Sequence, residues 1–112
     1  MADSTQVSKV LRAARELLAG GWCQKHLART DDGSPVDYRD GAATAFCLLG
    51  ACGRAALNPS DSNPDPLLME AIGDALRHTV SGYAVDWNDT PGRTQAEVLA
   101  VIDATIAHLE AQ

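Results

Sequence analysis

Apolar residues recur every three or four positions over four stretches of the chain, and polar, turn-rich runs separate those stretches. The first stretch starts near Ser4 or Thr5 and sets Val7, Val10, Leu11, Ala14, Leu17 and Leu18 on one side, with Lys9, Arg12, Arg15 and Glu16 on the other. That spacing predicts an amphipathic helix. Gly20-Gly21 predicts its end, through a left-handed cap that other residues adopt only under strain. The run "GAATAFCLLGACGRAAL" (41–57) is apolar or small nearly all the way round, with Asp40 standing before it as an N-cap. It predicts a buried second helix, in which Ala43, Cys47, Ala51 and Ala55 form a row of small side chains that lets neighbours approach closely. Gly50 and Gly53 each cost that helix about 1 kcal/mol in propensity, so they imply either a close backbone contact or an early end.

A third helix is predicted after the proline-rich break "NPSDSNPDP" (58–66), with Asp65 as N-cap and Pro66 in the first turn. Leu68, Ile72, Leu76 and Val80 make its inner face, and Gly82 ends it. The fourth opens with "TQAE" (94–97), where Thr94 and Glu97 have the reciprocal spacing of a capping box. Val98, Ile102, Thr105, Ile106 and Leu109 line its inside, while Asp103 and Glu110 point outward. Between the first two helices lies the polar arm "WCQKHLARTDDGSPVDYRD" (22–40). Its residues 22–29 read as extended and Asp32-Gly33 as a hairpin turn, with Trp22 or Leu27 holding the arm to the helices. The expected fold is mainly α: a small, four-helix, bundle-like single domain over residues 1–112, with a short irregular or hairpin arm between helices one and two.

Composition supports helices over a sandwich or barrel, because aromatic residues make up only 4% of the chain. No run of 18 apolar residues occurs, and "MADSTQVSKV" has neither the basic nor the apolar part of a secretory leader. Three cysteines, at 23, 47 and 52, lack the dense pairing pattern of a disulfide scaffold and are expected as free thiols. Both features point to a cytoplasmic protein with no membrane partner. Charge divides unevenly: residues 1–57 hold seven Lys or Arg against six Asp or Glu, and residues 58–112 hold two against nine. A C-terminal half of net charge -7 repels phosphate backbones, so direct nucleic-acid binding is not expected. It would be drawn to a basic protein surface, with Asp74, Asp103 and Glu110 making the contact.

Candidate chemistry is sparse. Cys23 and His26 have the C-x-x-H spacing of half a zinc site, without a second half. Cys47 and Cys52 lie about 140° apart on a helix and cannot easily share a metal. A Cys, His and Asp triad can be drawn from Cys23 or Cys47, His26 or His78, and Asp86 or Asp89, with nothing to mark a thiol as activated. There is no glycine-rich phosphate loop. No metal, no cofactor and no enzymatic activity are therefore expected. The densest run is "AVDWNDTPGRT" (84–94): its Asp, Asn and Thr suit turns, and Trp87 would bury the loop against the bundle. Alternatively Trp22, His26, Trp87, Asn88 and Asp89 meet on one side as a recognition pocket for a small molecule or a partner.

"GW" at 21–22, "AFCLLGA" at 45–51, and "WND" at 87–89 followed by "RTQAEVLAVID" resemble a family of short uncharacterised bacterial and phage proteins, over nearly the whole chain. The resemblance implies a standalone domain without assigned activity. Its marked positions fall here on Trp22, Cys47, Leu48, Gly50, Ala51, Trp87, Asn88, Asp89, Thr94, Glu97 and Val98. Two function classes follow. One is a non-catalytic interaction protein, carried by a phage or mobile element, that docks on a basic surface of a host protein complex, as anti-CRISPR and other anti-defence inhibitors do. The other is a small-molecule-binding domain using the Trp22, His26, Trp87 and Asp89 cluster. A symmetric homodimer is compatible with either.

Overall fold

The computed structural model describes residues 3–58 and 62–111. Helix α1 (Ser4–Gly20) is capped by Asp3, whose carboxylate accepts from the Gln6 amide at 2.8 Å. The arm then supplies β1 (Ala28–Arg29) and β2 (Pro35–Val36), and a third strand, β3 (Ala45–Phe46), completes a small antiparallel sheet of order β2-β1-β3. Ala28 faces Val36 on one side and Phe46 on the other. Four further helices follow: α2 (Leu48–Ala55), α3 (Pro66–Leu76), α4 (Ala84–Asn88) and α5 (Gln95–Glu110). The molecule is mainly helical, and β3 leads directly into α2. Among the described residues no helix is long and apolar enough to cross a membrane.

Helix α1 packs along α5 and α2, and Leu11, Leu18, Leu48, Ile72, Leu76, Val98 and Ile102 form the buried centre. The α5 start follows its sequence signal: Thr94 accepts from the Glu97 amide, and the Glu97 carboxylate accepts from the Thr94 amide at 2.9 Å. Asp65 and Pro66 likewise begin α3. The hairpin turn forms where Asp32-Gly33 placed it, with Gly33 at φ +87° and the Asp32 carboxylate accepting from Thr30 and from the Ser34 amide. These bonds to the charged form hold the Asp32 carboxyl at about 2.

Four expectations need correction. The second helix does not start at Asp40 but at Leu48, with Cys47 as its cap. The amides of Thr44, Phe46 and Cys47 are taken by the carbonyls of Arg29, Gly21 and Leu27, so the arm draws this segment into extended pairing and out of the helix. Ala43 and Cys47 therefore precede the helix that carries Ala51 and Ala55. The third helix ends at Leu76, short of Gly82, because Thr79 turns its hydroxyl onto the Leu76 carbonyl and the chain tightens there. Residues 84–88 form a short helix where turns were expected. A plain four-helix bundle thus becomes, among the described residues, five helices and a sheet. The proline-rich break stands between α2 and α3, although its residues 59–61 lie outside the described ones.

Gly21 is also needed for a different reason from the expected one. Its φ of 176° is ordinary extended backbone, and a side chain there would sit 2.3 Å from the Thr44 carbonyl oxygen. Gly50 meets the first of its two expectations, close approach: a Cβ would lie 2.0 Å from the Leu27 carbonyl oxygen. At Gly50 the arm lies flush on the backbone of α2, and at Gly21 the segment leading into β3 lies flush on the end of α1.

Candidate functional site

The arm and the "WND" segment do meet, and Asn88 is the point of contact. Although polar, it is wholly buried. Its Oδ1 accepts from Trp22 Nε1 at 2.8 Å and from the Leu48 amide at 3.0 Å, the first donor of α2 and one that has no partner within the helix. Its Nδ2 donates to the Cys23 carbonyl at 3.1 Å and to Asp89 Oδ1 at 3.0 Å. All four hydrogen-bonding positions of the amide are thereby used. Around it, Gln24 Nε2 donates to the carbonyls of Asn88 and Thr90, and Asp89 Oδ1 accepts from the Lys25 amide at 2.9 Å. Lys25 holds φ at +77°, a left-handed conformation uncommon for a side-chain-bearing residue, and this bond helps to keep it there.

Trp87 packs half-buried against the core, and the Arg93 guanidinium lies over its ring at 4.0 Å while Arg93 Nε donates to the Trp87 carbonyl. Trp22 is half-buried as well, with its one donor committed to Asn88. His26 is exposed beside a shallow hollow of about 250 Å³ that it shares with Lys25, Leu27, Cys47, Val85 and Asp89. The five residues singled out from sequence therefore share one region of the fold, but Asn88 turns its polar atoms inward and both indoles pack on protein. Gln24, Lys25 and Arg93 complete the brace, and no local pattern marks them.

The thiols are poorly suited to chemistry. Burial pushes Cys47 up to about 11 and Cys52 up to about 12, and raises Cys23 as well. Cys47 Sγ instead accepts from the Gly50 amide at 3.2 Å, capping α2, and Cys23 donates weakly to the His26 carbonyl. All three are free thiols. Among the described residues no three His, Cys, Asp or Glu side chains converge to hold a metal.

The acidic positions are placed differently from one another. Asp103 on α5 takes a two-point contact from Arg15 of α1, at 2.5 and 3.1 Å, and Glu110 pairs with Arg12. The Arg12 guanidinium holds the Glu110 carboxyl below the usual carboxylate range. Folding thus lays the basic side of α1 on the outer carboxylates of α5, and the charge division seen along the chain is partly cancelled in space. Asp74 pairs with Arg77 and lines another feature, a groove of about 460 Å³ bounded by the start of α1, by α3 and by the end of α5. Val7, Ala71, Ala75 and Leu109 give this groove an apolar floor. Asp3, Glu70 and Asp74 stand at its edges, exposed Leu67 lies at one end, and His78 and His108 close the other with their rings 4.6 Å apart. Glu70 and Asp74 lie four residues apart beside the buried face of α3, and His78 follows at the same spacing just past its end, a polar stripe readable in the sequence.

Residues 2–108 match the sequence profile of DUF6197. The chain belongs to this family, which is described as a family of unknown function. The family thus spans every element of the fold, from the α1 cap to the last turn of α5. No curated protein and no solved structure matches the chain significantly.

Proposed function

We propose that the protein is a non-catalytic interaction module that seats a cationic segment of a partner protein in the groove between α1, α3 and α5. The observation that carries this reading is the groove's make-up: an apolar floor edged by Asp3, Glu70 and Asp74, with no Lys or Arg among the described residues that line it. A basic amphipathic segment would bury its apolar side on Val7, Ala71 and Leu109 and offer ammonium or guanidinium groups to the carboxylates. This moves the contact expected of the acidic half from Asp103 and Glu110, which Arg15 and Arg12 tie to α1, to the α3 side, where Glu70 makes no salt bridge among the described residues and Asp74 pairs with Arg77 three residues on. The Trp22, Trp87 and Asn88 cluster serves as the brace that fixes the arm. Partners of this kind include host complexes whose own nucleic-acid groove is basic, so that occupation would inhibit them. This inhibitory role in a phage or mobile-element setting, and a cytoplasmic location consistent with three free thiols, belong to the same proposal.

The test is fluorescence anisotropy with a labelled Lys- and Leu-rich helical peptide. Binding should weaken as salt rises, because the pairs are exposed. Glu70→Gln and Asp74→Asn together should cost roughly tenfold in affinity, about 1.4 kcal/mol. Asp103→Asn should change nothing. Binding that ignores both salt and the double substitution would sink the proposal.

A further inference from the structure

Two of the three cysteines are neighbours across the backbone, although they stand far apart in the sequence. A parallel bridge joins Trp22 to Phe46: the Phe46 amide donates to the Gly21 carbonyl and the Cys23 amide to the Phe46 carbonyl, each at 3.1 Å. The next residue on one segment is Cys23 and on the other Cys47. Cys47 keeps an extended backbone, with φ -78° and ψ 172°, so the pairing direction carries on through it. Asn88 clamps the two segments just beyond, since its Nδ2 donates to the Cys23 carbonyl and its Oδ1 accepts from the Leu48 amide. Paired segments run about 4.8 Å apart, and residues in register on parallel segments point to the same face. That spacing falls inside the Cα separation of roughly 4.4–6.8 Å that a disulfide needs. Cys52 offers Cys47 no such match: five residues on, it lies about 7.5 Å further along α2, beyond a disulfide's reach.

We propose that Cys23 and Cys47 form an oxidation site, which hydrogen peroxide closes into a disulfide and small thiols reopen. Burial that shuts out bulky reagents leaves this pair open to a small oxidant. In the reduced protein each sulfur is held by a weak bond, Cys23 Sγ donating to the His26 carbonyl at 3.5 Å and Cys47 Sγ accepting from the Gly50 amide, and rotation about χ1 releases it. Cys23 is the more accessible, 8% exposed against 2% for Cys47, and it begins the reaction. Burial raises its thiol, and the Arg29 guanidinium works against that rise. The Cys23 thiolate attacks one peroxide oxygen, the O–O bond breaks, and a sulfenic acid forms as hydroxide leaves. That hydroxide takes the Cys47 proton. The Cys47 thiolate then attacks the Cys23 sulfur, and the hydroxyl leaves as a second hydroxide, which takes up the proton first lost by Cys23. Two thiols have given up two electrons and two protons, and peroxide has become two waters. The new bond fixes the arm to the start of α2 in exchange for the Cys47 cap on Gly50. In a reducing compartment thiol–disulfide exchange returns the pair to its free form.

Peroxide treatment of the folded full chain, followed by thiol alkylation in urea and mass spectrometry, tests this. The expected product is a single chain, lighter by two hydrogens, that takes up one alkyl group where the untreated protein takes three. Dithiothreitol should restore all three. Tryptic peptides 16–25 and 40–54 should emerge joined, with the alkyl group on Cys52. Cys52→Ala removes the competing thiol and should still lose both of those that remain. A treated wild-type chain that keeps three alkylatable thiols would overturn the proposal. So would a bridge that includes Cys52, or a Cys23 sulfinic acid beside an untouched Cys47. None of these results bears on the groove, whose peptide affinity is measured separately on the reduced protein.

Discussion

Replacing Asn88 with Asp changes one heavy atom and should cost a large share of the protein's stability. The oxygen that accepts from Trp22 Nε1 and the Leu48 amide is kept. The nitrogen that donates to the Cys23 carbonyl and to Asp89 becomes an oxygen facing two acceptors. At neutral pH the buried carboxylate loses two donors' worth of bonding and leaves the Cys23 carbonyl without its partner, at about 1–3 kcal/mol for each orphaned group. The like charge of Asp89 adds to this, so a total of about 3–5 kcal/mol is expected. A domain of this kind has only about 5–15 kcal/mol to lose. The urea midpoint should fall by on the order of 2 M, given a slope of about 1–3 kcal/mol per M.

The sign of the pH dependence makes this prediction specific. Burial and the two acceptors raise the carboxyl's folded-state pKa above its unfolded value of about 3.9. The penalty of Asn88→Asp is then fully present above the folded pKa. It shrinks as pH falls towards the unfolded value, by up to about 1.4 kcal/mol per pH unit. Protonation also returns one donor to the site. Urea unfolding of wild type and variant at pH 7, 6 and 5, followed by tryptophan emission and by far-ultraviolet circular dichroism, gives the difference directly. A penalty under about 0.5 kcal/mol at pH 7, the size of an ordinary surface change, would refute the brace. So would a penalty that stays constant with pH.

Gly20 and Gly21 should part company. Gly20→Ala has nothing within 4 Å to meet and should be neutral or stabilising by up to about 1 kcal/mol, whereas Gly21→Ala meets the Thr44 carbonyl and should destabilise by about 1–3 kcal/mol, both read from thermal melts. With Cys47 and Cys52 at about 11 and 12, both thiols should resist iodoacetamide at pH 8 in the folded protein and react fully in urea, as counted by mass spectrometry; rapid labelling of either in the native state would contradict their burial. Asp32, held at about 2 against about 3.9 unfolded, has a depressed pKa and so adds stability above pH 4 that is lost as pH falls towards 2. The Ser34 amide shift should follow that titration, and Asp32→Asn should abolish it. Thr94→Ala removes one half of the α5 capping box and should cost about 1 kcal/mol in urea unfolding.

What could be read from the sequence was whatever depended on neighbours along the chain. The Thr94 and Glu97 box, the Asp65-Pro66 start and the Asp32-Gly33 turn are local bonds, and all three formed as written. What could not be read depended on a distant carbonyl. Nothing around Thr44, Phe46 and Cys47 says that their amides will go to Arg29, Gly21 and Leu27, yet those bonds decide where α2 begins. Gly21 shows the same limit: the residue marks the end of α1 in the sequence, but the 2.3 Å that a side chain there would leave to the Thr44 carbonyl is a long-range fact. The site divides along the same line. "WND" stood out because Trp, Asn and Asp together are unusual, but only the fold shows that Asn88 spends its amide on Trp22, Leu48 and Cys23. Conversely the stripe of Glu70 and Asp74 is legible along α3, but the groove is not, because Asp3 and Leu109, which complete it, come from the start of α1 and the end of α5. Net charge by halves of the sequence was the wrong partition: α1 and α5 are far apart along the chain and packed side by side, so Arg12 and Arg15 offset Glu110 and Asp103. Charge that survives this cancellation, at Glu70 and Asp3, together with Asp74 and its neighbouring Arg77, is what a partner would meet.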